Sequence, residues 1–600
     1  VSADVPPPTC AFSFEGRPIA YATGMTLAAA LVAAGELGLR ETRDGTGRRG
    51  VFCGMGVCQE CLVAVDGQNG RRACMTPARS GLTVTRQPAR PELDDGDRET
   101  VRPLSPAVAG AECHATPDVL VVGGGAGGLS AAAAAAEAGL RVVLLDERAK
   151  LGGQYFKQPA SRGWGRGPRP DTQFTAGARL IERARSAGVT IYSEAQLWGA
   201  FAPDDLAVLT PDGRRRFAPR ALILAPGAYE RGVPVPGWTL PGVMTTGAAQ
   251  TLWRSYGTPP GRRVLVSGHG PLNMQVAAEL ARAGVSVVAL AELATPASPR
   301  RALALARMAI ADRALIADGL RYRATLASHR VPVLYGSMVV AIEGEDRVRA
   351  ATVAQIDSSG DPRPGTERRF ELDAVCMGFG FHPSNEIARA LGARHAHRQS
   401  QLQTVVDARG RTTLARTWVI GDGAWIGGAK LAQAIGELAG IDAARELGAA
   451  ASAEQRAREA AAVAQAARHR RFQTGLAAAF AAPRIEAQLA APSTHICRCE
   501  EVTRESLERG LADGPGHIGA LKRATRAGMG PCQGRYCGPL IAAITAQRVG
   551  KELTELSGFA PNPPVKPVAI GELLGPAGGD EGVAAAIRAA RTMLAGGGAD

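Results

Sequence analysis

The run from Asp118 to Gly128 (DVLVVGGGAGG) constrains this chain more than any other stretch. A short apolar strand leads straight into Gly-x-Gly-x-x-Gly. An Ala-rich helix is predicted from Leu129 to Ala138, and a second strand, Arg141 to Leu145, ends in Asp146 and Glu147. Glycine-rich loops alone are common; strand, turn, helix, strand and acid in this order make the dinucleotide-binding fingerprint. Gly123 is expected to form the tight turn. Gly125, with Ala126 beside it, should let the backbone approach a pyrophosphate, and Gly128 should let helix and strand pack closely. The helix start offers that anion unpaired N–H groups and a partial positive charge. An acid about 20 residues on can hold a ribose diol; Asp146 has the better spacing and Glu147 stands in reserve.

Six hundred residues exceed a single core, so roughly three to five domains are expected. No apolar run of about 18 residues occurs, so no membrane span is expected. The opening, Val1 to Pro8, has neither the basic nor the apolar region of a secretory leader. The formal charge is +13, and 63 of the 69 basic residues are Arg. These are scattered and aromatics are few, so the charge reads as solvated surface and not as a nucleic-acid interface. A cytoplasmic location follows, with docking on the inner membrane face as the alternative that the charge leaves open.

Eight of the eleven cysteines fall in two metal-spaced groups, which argues for thiolate ligands in a reducing compartment over a disulfide framework. The first is Cys53, Cys58, Cys61 and Cys74, the C-x4-C-x2-C…C spacing of plant-type 2Fe–2S proteins. Three sulfurs on one loop can reach both irons while the fourth arrives from a neighbouring strand. Gly54 and Gly56 free N–H groups to face sulfide. Zinc is the alternative, but zinc sites favour paired knuckles. Around this loop a hairpin is predicted over Phe12–Tyr21, with a helix from Leu27 to Ala34 capped by Thr26 and stopped at Gly35. The second group is Cys497, Cys499, Cys532 and Cys537, with Thr503 capping a helix at Arg504–Arg509 and a further helix over His517–Thr525. For this group zinc or an empty site stays open beside a 2Fe–2S centre.

A strand from Thr417 ends in Gly421-Asp422-Gly423, and a helix opening at Lys430 carries Gln433 and Ala434. This resembles flavoproteins with two dinucleotide domains, in which an Asp at this place bonds the ribityl chain; an ordinary turn Asp is the other reading. Gly153-Gln154 after the first acid resembles the same family. So does Ala225-Pro226-Gly227, with Pro for the usual Thr. The resemblance makes the first ligand FAD. A second, degraded fingerprint runs from Gly268 to Asn273, where Asn273 replaces the third glycine and should crowd the helix–strand contact. Glu292 would favour NAD over NADP there; an adenine nucleotide such as ATP, or a structural relic that binds nothing, are the other readings. No Cys pair lies near the flavin, so disulfide reductase chemistry is not expected.

In this order the modules resemble the alpha-type subunit of heteromeric FAD/iron–sulfur amine dehydrogenases: opine oxidase, proline and hydroxyproline dehydrogenases, hydrogen cyanide synthase and the front half of sarcosine oxidase alpha. The C-x-C…C-x4-C group resembles bacterioferritin-associated ferredoxin, though that family closes with C-x2-C. The fold implied is multidomain α/β: a two-dinucleotide-domain flavoprotein flanked by a plant-type ferredoxin-like α+β domain and a small helical 2Fe–2S domain. The expected boundaries are 1–105 for the ferredoxin-like domain, with a linker to 117, and 118–245 with 355–450 for the FAD domain. The inserted nucleotide domain takes 246–354, a helical linker 451–490, the second 2Fe–2S domain 491–550 and a packing tail 551–600.

The resemblance further implies a D-amino-acid-oxidase-type flavoprotein beta subunit that breaks the C–N bond, so no catalytic residue is expected in this chain. It adds as candidates a small third subunit, an FMN at the subunit junction and a quinone or respiratory-chain acceptor. The picture is a wire with a flavin at its middle and an iron–sulfur terminal near each end. A self-sufficient NAD(P)H:acceptor oxidoreductase is the alternative, and a basic scaffold with structural zinc the non-enzymatic one.

Overall fold

The computed structural model describes residues 10–89, 113–160, 171–295, 298–512, 514 and 517–569. A Gly- and Arg-rich stretch, Ser161 to Pro170, most of the linker to 117 and the end of the 551–600 tail lie outside these residues.

The N-terminal module is a five-stranded sheet in the order Arg17–Ala20, Ala11–Phe14, Thr83–Arg86, Leu62–Val65, Gln68–Arg72. Its helix Leu27–Ala33 buries every residue from Leu27 to Val32. Thr26 Oγ1 accepts the Ala29 N–H at 3.3 Å, and Gly35 at φ 80° ends the element. The cysteine loop packs on the start of the helix Thr246–Tyr256: Thr245 donates its N–H to the Phe52 carbonyl at 2.8 Å, and a Cβ on Gly54 would meet Ala248 at 3.2 Å.

Around the fingerprint, five strands pair in parallel: Thr190–Tyr192, Val142–Leu145, Val119–Val122, Ala221–Leu224 and Thr417–Val419. Runs such as VLVV and ALIL suit strands covered on both faces. The fingerprint helix is Ala126–Ala136, starting three residues before the predicted Leu129. It lies against Ala429–Glu446 so closely that a Cβ at Gly436 would sit 2.2 Å from the Gly127 carbonyl oxygen.

The inserted sheet is larger than the 246–354 boundary allows. Its order is Val243–Thr245, Ala374–Gly378, Arg263–Gly268, Ser286–Glu292, Val333–Tyr335. Two of these strands fall within the ranges expected for the FAD half. A parallel sheet must pair its central strand on both sides, and the partner of Arg263–Gly268 arrives late in sequence after a three-stranded excursion, Ser337–Glu371.

The linker helix runs Ala453–Ala479, within the expected 451–490, where no Pro interrupts it and a Ser452/Gln455 capping box starts it. It packs on Pro299–Ala311 and Ala429–Glu446. No helix among the described residues is long and apolar enough to cross a membrane. The C-terminal module holds helices Arg504–Ala512, Ile518–Thr525 and Gly538–Val549 around their own core. The described part of the tail does more than pack against this module. Phe559 covers Gly528, Gly534 and Gly538, Val565 donates its N–H to the Trp198 carbonyl at 2.7 Å, and Lys566 reaches Glu147 in the FAD sheet.

Candidate cofactor cavity and cysteine centres

One cavity of about 1610 Å³ runs from the first glycine turn to the second. At the first, Gly123 has φ 109° and a Cβ there would meet the Ala225 carbonyl oxygen at 2.2 Å; at Gly128 it would meet the Gly123 oxygen at 1.8 Å. Only glycine fits either place. Gly125 caps the helix and a Cβ on it would meet nothing nearer than 3.8 Å, so this backbone is open to a ligand. Gly123, Gly125, Ala126, Asp146, Glu147, Gly153, Gln154, Gly227, Gly421 and Asp422 all border the cavity. Gly128 supports from behind. Gln433 and Ala434 are not in the wall; the first turn of their helix, Ala429 to Ala432, supplies it instead.

The two acids differ. Asp146 accepts the N–H groups of Gly124 at 2.6 Å and Arg148 at 2.8 Å, so it braces the turn, and burial pushes its carboxyl up. Burial would raise Glu147 too, but Lys566 and Arg72 hold it down at about 2. Arg72 bonds Glu147 at 2.9 Å and the Gly56 carbonyl at 2.9 Å, tying the cysteine loop to the fingerprint. Asp422 accepts the N–H groups of Gly427 and Gly428, each at 2.9 Å.

Sequence reasoning missed a buried polar group on this wall. Lys157 bonds Gln250 at 2.9 Å and the Gln154 carbonyl. Desolvation lowers its pKa to about 7. Glu230 accepts the Gly247 N–H at 2.9 Å at the start of helix Thr246–Tyr256, and desolvation raises it to about 7. Lys157 is one of only six lysines, which was the available signal.

The second turn is built otherwise. Asn273, expected to crowd its helix against the strand, instead accepts from the Thr246 hydroxyl at 2.8 Å and donates to the Gly378 carbonyl at 2.7 Å. Gly378 makes the room: a Cβ there would stand 2.1 Å from Asn273 Oδ1. Pro271 at the helix start removes one N–H from the anion site. Glu292 is turned inward onto the N–H groups of Gly270 at 3.2 Å and Ala294 at 2.9 Å, and burial raises it to about 7.

All eight cysteines of the two groups are buried. Cys53 bonds Cys58 and Cys61 bonds Cys74. N–H groups of Met55 and Cys58 point at Cys53 Sγ at 3.5 and 3.4 Å, and that of Cys74 at Cys61 Sγ at 3.5 Å. Burial pushes the Cys58 thiol up, and the Cys61 thiol together with burial does the same at Cys74; at Cys53 burial is outweighed by the Cys58 thiol and the backbone N–H groups, which hold it below the ordinary thiol range. Gly54 and Gly56 take φ 60° and 78°, and a Cβ on Gly56 would press Met75 at 2.9 Å. Among the described residues no three His, Cys, Asp or Glu side chains converge to hold a single ion. The thiols pair two and two, as ligands divided between two irons do.

In the second group Cys499 Sγ lies 4.0 Å from Cys497 Sγ and 3.5 Å from Cys532 Sγ, and Cys497 bonds Cys537. The wider C-x4-C spacing therefore still gathers four sulfurs. A Cβ on Gly530 would strike Cys499 Sγ at 2.5 Å. Cys53, Met55 and Val57 line the cavity; none of the C-terminal cysteines does.

Residues 117–439 match the pyridine nucleotide-disulphide oxidoreductase family, 8–89 a 2Fe-2S iron-sulfur cluster binding domain, and 495–547 a BFD-like [2Fe-2S] binding domain. The A subunit of opine oxidase from Agrobacterium tumefaciens (strain Ach5) is 33% identical over 470 residues, covering 76% of this chain and 91% of that protein. The HcnB subunit of hydrogen cyanide synthase from Pseudomonas aeruginosa is 30% identical over 464 residues, covering 75% and 96%. The crystal structure of L-proline dehydrogenase from P. horikoshii shares the fold, with TM-score 0.69 and 21% identity over 94% of this chain and 97% of that one. The chain therefore belongs to the pyridine nucleotide-disulphide oxidoreductase family, as an iron–sulfur flavoprotein of the group that includes the opine oxidase and hydrogen cyanide synthase subunits just named.

Proposed function

We propose that this chain is the electron-transfer subunit of a heteromeric dehydrogenase that oxidises a secondary amine, an opine or a (hydroxy)proline-type amino acid at its CH–NH bond. The observation that carries the reading is the position of Cys53, Met55 and Val57 in the wall of the cavity that the fingerprint turn also lines. FAD, when bound, accepts an electron pair and can release it one electron at a time, which is the only currency a 2Fe–2S centre takes. The open backbone at Gly125 and Ala126 would hold its pyrophosphate. Gly153, Gln154 and Gly227 would border it, and Asp422 would take the ribityl chain. Cys53, Cys58, Cys61 and Cys74 would hold one 2Fe–2S centre, and Cys497, Cys499, Cys532 and Cys537 the other. Lys157 and Glu230, both poised near neutrality, can hold or pass a proton at the cavity wall.

The bond-breaking step belongs to a partner, a D-amino-acid-oxidase-type flavoprotein. The names of the relatives, both subunits of larger enzymes, support this. A small third subunit, an FMN at the junction and a quinone acceptor complete the proposal, with the work done in the cytoplasm or on the inner membrane face. Co-purification with the products of neighbouring genes, then a screen of amines and opines with a dye acceptor, tests it. Turnover is expected only with the partner; brisk amine oxidation by this chain alone would refute it.

A second reading, an NAD(P)H:acceptor oxidoreductase, draws on the cavity reaching His269, Gly270 and Gln275 of the second turn. Anaerobic NADH decides between them, because prompt flavin bleaching in the isolated chain belongs to the second alone. The missing N–H at Pro271 and the inward Glu292 favour the first.

A further inference from the structure

The two cysteine groups lie 423 residues or more apart in sequence, yet their loops are packed against each other. Arg498, between Cys497 and Cys499, is 4% exposed at its side chain. Its guanidinium carbon stands 3.9 Å from the ring centroid of Phe52, the neighbour of Cys53, and 4.6 Å from that of Trp238. It donates to the Trp238 carbonyl at 2.6 Å and to Glu60 at 3.5 Å. Glu60, between Cys58 and Cys61, is fully buried and is also bonded by Arg40 at 3.1 Å. Arg40 in turn bonds Glu501 at 3.2 Å, and Arg43 bonds Glu500.

A second link starts at Tyr536, the neighbour of Cys537. Its ring centroid is 5.4 Å from that of Phe52 and 5.7 Å from that of Tyr229, which borders the cavity. Among the described residues its buried hydroxyl has no hydrogen-bond partner. From one cysteine group to the other the path therefore needs only Cys53, Phe52, Tyr536 and Cys537, all of them buried.

We propose that the two centres form one coupled pair, joined through Phe52, Tyr536 and Arg498, so that electrons run from the cavity to the N-terminal centre and then to the C-terminal one, with Arg498 as the shared counter-charge. The inference rests on the cofactor assignment above. Each step moves one electron: the N-terminal centre is oxidised as the C-terminal one is reduced, and no proton need move. A buried cation favours the more negative, reduced state of a centre beside it. Glu60 offsets this charge but itself faces Arg40 and Arg49 as well. Arg498 is thus a positioning residue that sets potential, not a group that meets substrate.

The test is a potentiometric titration of the purified chain followed by electron paramagnetic resonance, after iron and labile sulfide have been counted. With both centres present, the signal of the N-terminal centre should broaden as the C-terminal one becomes reduced; two independent, unbroadened signals in the fully reduced protein would overturn the proposal and leave the cofactor assignment standing. Iron and sulfide too low for two centres would sink both. R498M should lower the reduced-to-oxidised ratio of the C-terminal centre at a fixed poise about tenfold, which is 59 mV for a one-electron couple. R498K should restore most of it. Unchanged potentials in R498M with iron intact would remove Arg498 from the account, and with it the counter-charge half of the proposal. The broadening in the native chain needs no variant, so a variant that fails to fold does not spare the proposal.

Discussion

Two glycine turns share one cavity, and the Gly268–Asn273 turn is built differently from the Gly123–Gly128 turn. Both place an acid at the end of the next strand, and both acids accept the N–H of a turn residue: Asp146 from Gly124 and Glu292 from Gly270. There the likeness stops. The first helix starts Gly125-Ala126-Gly127-Gly128, with every N–H present and the approach clear. The second starts Gly270-Pro271-Leu272-Asn273, with one donor gone and apolar Leu272 at the cavity wall. Asn273, the residue that departs from the pattern, holds two helices and a strand together. The first turn thus leaves its helix start open to the cavity, and the second ties its helix into the packing through the side chain at the third glycine position.

Filling the close contact in the first turn should have the largest effect. G128V puts a branched side chain where a Cβ alone would lie 1.8 Å from a carbonyl oxygen. Overpacking of this kind costs about 3 kcal/mol or more, and the protein should purify without flavin absorbance. Retained flavin would break the comparison at its root. Next is E292Q. The Glu292 carboxyl titrates near 7 in the fold against 4.5 ordinarily, so its contribution to stability is present below pH 4.5 and lost as pH rises through 7. E292Q should remove about 3 kcal/mol of that fall, read from denaturant unfolding across the window, and should leave flavin content alone.

N273A should cost about 1–3 kcal/mol, because the Gly378 carbonyl and Thr246 hydroxyl lose their partner, again without loss of flavin. Loss of flavin in N273A but not of stability would mean that the second turn is a ligand site after all. The smallest expected effect is that of K566M. The first turn is braced from outside by Lys566 and Arg72 on Glu147, a partly exposed group, and losing one arm should cost about 1 kcal/mol or less. It should show as a slightly higher flavin dissociation constant at low salt that converges with the native value at high salt.

Much of this was legible in the residues. Thr26, Gly35 and Thr503 marked element ends because a cap needs only its own few neighbours. The glycines of the first turn and the spacing of the first cysteine group likewise describe chemistry that closes within a few residues or between adjacent strands. The readings that failed were those needing a distant partner. The boundary at 354 missed Ala374–Gly378, whose strand partners lie more than a hundred residues earlier. Asn273 read as a clash because Gly378, which yields the space, gives no local sign of doing so. The cavity wall takes Ala429 to Ala432, and Gln433 and Ala434 follow them in the same helix.

By itself, the sequence determined that this chain folds around nucleotide-type turns and carries two sets of four thiols, since those patterns encode backbone geometry and metal chemistry over short spans. It also suggested a wire with its iron–sulfur terminals at opposite ends. Only the tertiary structure decided that the two cysteine modules meet, with Arg40 and Glu501 bonded across 461 residues and Arg498 lying on Phe52. The reason is physical: sequence distance says nothing about which surfaces dock. Docking follows from burying Phe52, Trp238 and Tyr536 together and from pairing Glu60 with arginines of both modules, a condition no single stretch of residues can express.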